Sequence, residues 1–131
     1  SGTHNKELDI WRKIGREPEI GSGKWYFETG SGMGTTLNTA VELNAYTLVD
    51  RASWYSFSNK LDFQIVLEGD AQLFNPYGVM LIDSEKCPNV KSELGQLFID
   101  WLISSRGQSA IQQFKINGQR IFKTNLVRPS D

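Results

Sequence analysis

Apolar residues recur along this chain with two different periods. Leu8, Trp11 and Ile14 share one face of a helix through Asn5–Ile14, and Gly15 stands where a C-cap is expected. Leu37, Ala40, Val41 and Leu43 fall mostly on one face of a second helix, Met33–Asn44. Asp50 is placed to cap a short helix through Arg51 to about Asn59. The strongest stripe, Leu94, Leu97, Phe98, Trp101 and Leu102, predicts a helix from Lys91 to Ser105. Gly107-Gln108-Ser109 then opens another helix, containing Ala110, Ile111 and Phe114.

Short apolar runs bounded by polar residues lie between these helices. Ala45–Val49, Phe63–Leu67 and Tyr77–Ile82 read as buried strands. Lys24-Trp25-Tyr26-Phe27 reads either as a short strand or as the aromatic wall of a cleft, and Asn117-Gly118 predicts a turn. Pro129-Ser130-Asp131 reads as a loose tail. Helices alternating with short strands predict a layered α/β fold on a mostly parallel sheet.

Composition narrows the function. With 131 residues and 39% apolar content, the chain can bury a core of its own. Fourteen basic against fifteen acidic side chains, with no basic run, exclude a nucleic-acid surface built on bulk charge. No stretch is long and apolar enough to span a bilayer. The chain opens on Ser1 without a methionine, which predicts a processed or trimmed product. Cys87 is the single cysteine and His4 the single histidine, far apart in sequence. That leaves no disulfide, no thiol–imidazole pair, no Ser-His-Asp set and no metal-ligand spacing. A binding protein is the expected class, not an enzyme.

The candidate chemistry lies in Glu28-Thr29-Gly30-Ser31-Gly32-Met33-Gly34-Thr35-Thr36, directly ahead of the second helix. A glycine-rich entry to a helix leaves backbone N–H groups unpaired and pointing one way, with the helix dipole behind them. Such an entry suits an anion, but not a nucleotide held in a known fingerprint. A P-loop needs a lysine after its last glycine, where Thr35 stands, and the dinucleotide motif needs two residues where Met33 stands alone. The plainer alternative is a glycine-rich loop in which Ser31 is an N-cap. Ser1-Gly2-Thr3 opens the first helix in a similar way, and there too simple capping by Ser1 or Thr3 is an alternative.

Ser1-Gly2-Thr3-His4 before a Lys-Glu-Leu-rich helix, then Trp25-Tyr26 ahead of Glu28–Ala40, resembles the periplasmic tungstate-binding proteins of ABC importers. The resemblance continues through Tyr46–Arg51, Glu68-Gly69-Asp70, Leu73–Met80 and the late helix with Gln108, Ser109 and Ile111, over nearly the whole chain. It implies the type II periplasmic-binding-protein architecture, in which two α/β lobes hold a dianion in a cleft. In that family an arginine-containing segment precedes the Ser-Gly-Thr turn, and a hydroxyl-rich turn early in the first lobe adds ligands. Neither is present here. The expectation is therefore a C-terminal portion, with 1–70 as part of the second lobe and 71–131 returning through the hinge into the first.

The donors expected on this basis are Ser1, Gly2, Thr3, Ser31, Gly32, Met33 and Gly34, with Arg51 a weaker candidate. They would hold tungstate or molybdate, which share charge, shape and nearly size, with no cofactor and no resident metal. The implied partners are an ABC permease and its ATPase, in a periplasmic or extracellular setting associated with the membrane only through the transporter. The apolar face of the Lys91–Ser105 helix is expected to need a cover, either the rest of the parent protein or a swapped second copy. Two other classes fit parts of the pattern. One is the effector-binding half of a transcription regulator, and the other is a small α/β enzyme acting on a phosphorylated substrate.

Overall fold

The structure is a computed structural model that describes residues 2–124. Ser1 and the Pro129–Asp131 tail lie outside the described residues. The chain divides into two units, Ser1–Asn75 and Pro76–Asp131.

In the first unit, α1 spans Gly2–Lys13. It begins earlier than the sequence pattern suggested, so Thr3 lies inside its first turn and does not precede it. Its end follows from Gly15, at φ +68°. The Gly15 N–H reaches the Arg12 carbonyl at 2.9 Å and the Arg16 N–H reaches the Trp11 carbonyl at 3.0 Å, the paired bonds of a Schellman stop. A 3-10 turn follows at Pro18–Gly21. Trp25 lies against Gly21 so closely that a Cβ there would stand 2.2 Å from the indole.

α2 spans Met33–Leu43 and is closed the same way, with Asn44 left-handed and the Ala45 N–H on the Ala40 carbonyl at 2.9 Å. Leu37, 1% exposed, and Ala40 are its buried positions, whereas Leu43 is half exposed. α3, Arg51–Ser56, starts as expected at Asp50, whose carboxylate accepts the Ser53 N–H at 3.0 Å. It stops three residues short of the expected end. A second 3-10 turn, Ala71–Leu73, is capped by Asp70.

In the second unit, α4 (Ser92–Ile103) and α5 (Ser105–Gln113) are joined by a single residue, Ser104. The Ser104 hydroxyl donates to the Trp101 carbonyl at 2.7 Å and accepts the Gly107 N–H at 3.1 Å, so one side chain ends one helix and starts the next. Gly107 is buried in this corner, where an added Cβ would stand 2.0 Å from the Trp101 carbonyl oxygen. Gln108 ties the corner from the other side, donating to the Leu102 carbonyl at 2.7 Å.

Asn117 and Gly118 both take positive φ, as a two-residue I′ hairpin turn requires, and they connect β1 (Lys115–Ile116) to β2 (Gln119–Arg120). These two strands pair antiparallel, Lys115 opposite Arg120.

The sheet is where structure and sequence pattern part. Among the described residues the strand pairs are the β1–β2 hairpin and one isolated parallel bridge, Ser22 to Tyr26. Ala45–Val49, Phe63–Leu67 and Tyr77–Ile82 belong to no ladder. A strand is stable only against a partner, and these three segments find none among the described residues. Ala45–Val49 is partly covered, but the other two segments stay largely open to solvent, including Val66, Leu67, Tyr77 and Met80.

Candidate functional site

The glycine-rich entry to α2 is built by side chains that flank it. Thr29 and Thr36, on either side of the glycines, bring their hydroxyls to 2.7 Å and close the loop at its base. The Thr36 hydroxyl also reaches the Gly32 carbonyl at 3.2 Å. Gly30 turns the chain with φ +61°, a conformation that costs a residue with a Cβ far more than glycine.

Gly32 occupies the N-cap position, and no side chain caps the helix. The reading of Ser31 as the N-cap is thereby corrected. The Ser31 hydroxyl turns back to donate to the Thr29 carbonyl at 3.0 Å, because Gly32 already supplies the extended backbone that a cap needs. The first backbone bond of α2 runs from the Thr36 N–H to the Gly32 carbonyl at 3.0 Å. The amides of Met33, Gly34 and Thr35 therefore stand outside the helical ladder, at the positive end of the dipole.

Ser31, Gly32, Met33 and Gly34 are thus brought together at one helix start. Gly2 and Thr3 lie at another, the start of α1, in the same unit. Ser1 is outside the described residues. Arg51 pairs with the Glu68 carboxylate at 2.8 Å, so its guanidinium already has an anionic partner within the chain.

The elements that carry the two helix starts are joined through a cluster of ring donors around one carboxylate. Glu7 of α1 accepts the Tyr26 hydroxyl at 3.2 Å and the Trp11 indole N–H at 3.4 Å, one on each oxygen. The Trp11 and Trp25 rings meet edge to face at 5.6 Å. Tyr26 is buried, and burial first, then the Glu7 charge and hydrogen bond, push its hydroxyl up from its ordinary value to about 12. Tyr26 therefore stays a neutral donor at any physiological pH.

Sequence reasoning singled out neither the Thr29–Thr36 brace nor the role of Glu7. The brace had a visible signal, a pair of threonines flanking the glycines. The Glu7–Tyr26 contact, across 19 residues, had none.

A surface cavity of about 450 Å³ opens elsewhere in this unit, lined by Arg12, Arg16, Glu17, Ile20 and Trp25 among others. None of the expected donors lines it. Among the described residues no group of His, Cys, Asp and Glu side chains is placed to hold a metal ion. No helix among them is long and apolar enough to cross a membrane.

Residues 1–106 match the family model described as a PBP superfamily domain. The chain belongs to the PBP superfamily. Its relatives include the tungstate-binding protein TupA of Peptoclostridium acidaminophilum, 40% identical over 99% of this chain and 43% of that protein. The protein of the same name from Campylobacter jejuni is 33% identical over 93% of this chain and 46% of its own length. The tungstate-binding protein TupA of Desulfovibrio alaskensis G20 superposes with a TM-score of 0.74 at 35% identity, over 95% of this chain and 51% of that one. The chain thus spans less than half the length of the first two relatives. The fold is the type II periplasmic-binding-protein-like α/β class, present here as a partial stretch rich in helices and poor in sheet.

Proposed function

We propose that the protein carrying this chain captures a tetrahedral oxyanion outside the cytoplasm and delivers it to an ABC importer. The anion is tungstate, with molybdate as its near-equivalent in charge and size. The observation that carries the reading is the glycine-rich start of α2, its free amides held by the Thr29–Thr36 brace, in a chain similar along nearly its whole length to tungstate-binding proteins.

In this reading the donors are the amides and hydroxyls of Ser31, Gly32, Met33 and Gly34, joined by those of Ser1, Gly2 and Thr3 from α1. A dehydrated dianion is neutralised there by helix dipoles and neutral hydrogen bonds, without a lysine ammonium. Donors fixed on backbone discriminate anions by radius better than a flexible cation does. Ser31 would exchange its bond to the Thr29 carbonyl for one to the anion.

Residues 1–70 would form part of one lobe and 71–131 the return through the hinge into the other. The rest of the parent protein, or a second copy, would cover the exposed face of α4. Permease and ATPase would be the partners, and contact with the membrane would come only through them.

Isothermal titration of the full-length protein with tungstate, molybdate, sulfate and phosphate tests the reading. Tungstate and molybdate should bind far more tightly than the other two. Equal affinity for sulfate would overturn it.

A further inference from the structure

Resting on the oxyanion reading above, we infer that the Glu7 carboxylate, through its bond to the buried Tyr26 hydroxyl, is a positioning group that sets the spacing between the two donor turns. Thr3 and Glu7 are four residues apart on α1 and so share a face, and helical side chains lean toward the N-terminus. Glu7 therefore stands directly behind the turn that carries Gly2 and Thr3. Tyr26 lies in the aromatic segment, and two residues later Glu28 begins the loop that carries Ser31 to Gly34.

A hydrogen bond of 3.2 Å thus links the helix bearing one set of donors to the segment leading into the other. The link is held from both sides. The second Glu7 oxygen takes the Trp11 indole N–H, and Trp11 meets Trp25 beside Tyr26. His4, the residue after Thr3, brings its Nδ1 to 3.9 Å from the same carboxylate.

The chemistry suits positioning better than binding. Glu7 is an anion and would repel an oxyanion, so its carboxylate serves the site only through its geometry. A buried phenol that loses its acceptor is free to shift, and a donor turn displaced by a fraction of an ångström no longer matches the larger anion.

The test uses the full-length protein, titrated with tungstate and with sulfate. Glu7→Ala and Tyr26→Phe should each weaken tungstate about tenfold. They should also lower the ratio of tungstate to sulfate affinity, because fixed spacing is what rejects the smaller ion. Glu7→Gln keeps the shape and one acceptor oxygen for the Tyr26 hydroxyl while giving up the second acceptor, which faces the Trp11 indole N–H, so it should retain most of the tungstate affinity that Glu7→Ala loses. The Glu7→Ala/Tyr26→Phe double variant should be no weaker than Glu7→Ala alone, since that change already removes the bond to Tyr26.

Unchanged tungstate affinity in Glu7→Ala and Tyr26→Phe would overturn the inference, as would loss of affinity for both anions by the same factor. Should Glu7→Ala fail to fold, Tyr26→Phe and Glu7→Gln carry the same comparison. Unaltered protein that binds no tungstate would instead overturn the functional reading, and this inference with it.

Discussion

The two units of the chain are organised by different forces. In the first, side chains distant in sequence meet: Glu7 with Tyr26, Trp11 with Trp25, Asn38 with Asn59, Arg51 with Glu68. Leu8, Tyr26, Leu37 and Ala40 are buried there. In the second, the helices and the turn rest on local devices, the Ser104 double cap, the Gly107 corner and the Asn117-Gly118 turn, while Ile121 is buried and the distant Tyr77 and Phe122 rings meet edge to face at 6.0 Å. No residue of α4 is buried, and Leu97 is 64% exposed on a face whose spacing is that of a core-facing helix. Caps and turns build elements wherever the sequence writes them, but burial needs a second surface. The apolar stripe of α4 marks a surface for which the described residues supply no cover.

The sharpest way to break this contrast is to truncate one leucine in each unit and follow thermal unfolding. Leu37→Ala removes a fully buried side chain and should cost about 2–5 kcal/mol. Leu97→Ala in the isolated 131-residue chain should change stability by less than about 0.5 kcal/mol, as an exposed position does. In the full-length protein the same Leu97→Ala change should become costly. Equal and small effects of Leu97→Ala in both would mean that the α4 face is never covered.

Next in size, Gly107→Ala should cost about 1–3 kcal/mol or more, because the new Cβ meets a backbone carbonyl that cannot swing aside. Circular dichroism melting of this variant shows whether the α4–α5 corner depends on that close approach. A neutral substitution would remove the strongest local constraint identified in the second unit.

How much of this was legible in the sequence follows the same division. The Asp50 cap, the Gly15 stop and the Asn117-Gly118 turn were readable, because each is decided within a few residues. The face of α4 was readable as a pattern, and the structure leaves it open. Strands at Ala45–Val49, Phe63–Leu67 and Tyr77–Ile82 did not follow, because a ladder depends on a partner that local sequence does not specify. At the site, the glycine-rich start of α2 was visible, but the role of Ser31 was not. A serine next to a glycine N-cap is free to bond backward, and it does so to Thr29. The Glu7–Tyr26 link was illegible because nothing in either residue's neighbourhood announces the other.

A smaller effect sharpens the description of the first unit. With its hydroxyl raised from 10.0 to about 12, Tyr26 holds its proton in the folded state after the unfolded chain has lost it. The stability from this difference is fully present below pH 10 and is lost as pH rises from about 10 to 12. Tyr26→Phe should flatten that part of the stability profile relative to the unaltered chain. Equal alkaline slopes in the two would show that Tyr26 ionises normally.

The central claim, that the start of α2 holds an oxyanion with neutral donors, is tested most directly by titrating tungstate into full-length protein with and without Ser31→Ala. Removing one donor to a buried charge costs about 1.5–3 kcal/mol, so affinity should fall by about one to two orders of magnitude while the fold persists. A dissociation constant unchanged by Ser31→Ala would contradict the claim and leave Ser31 with nothing but its turn to Thr29.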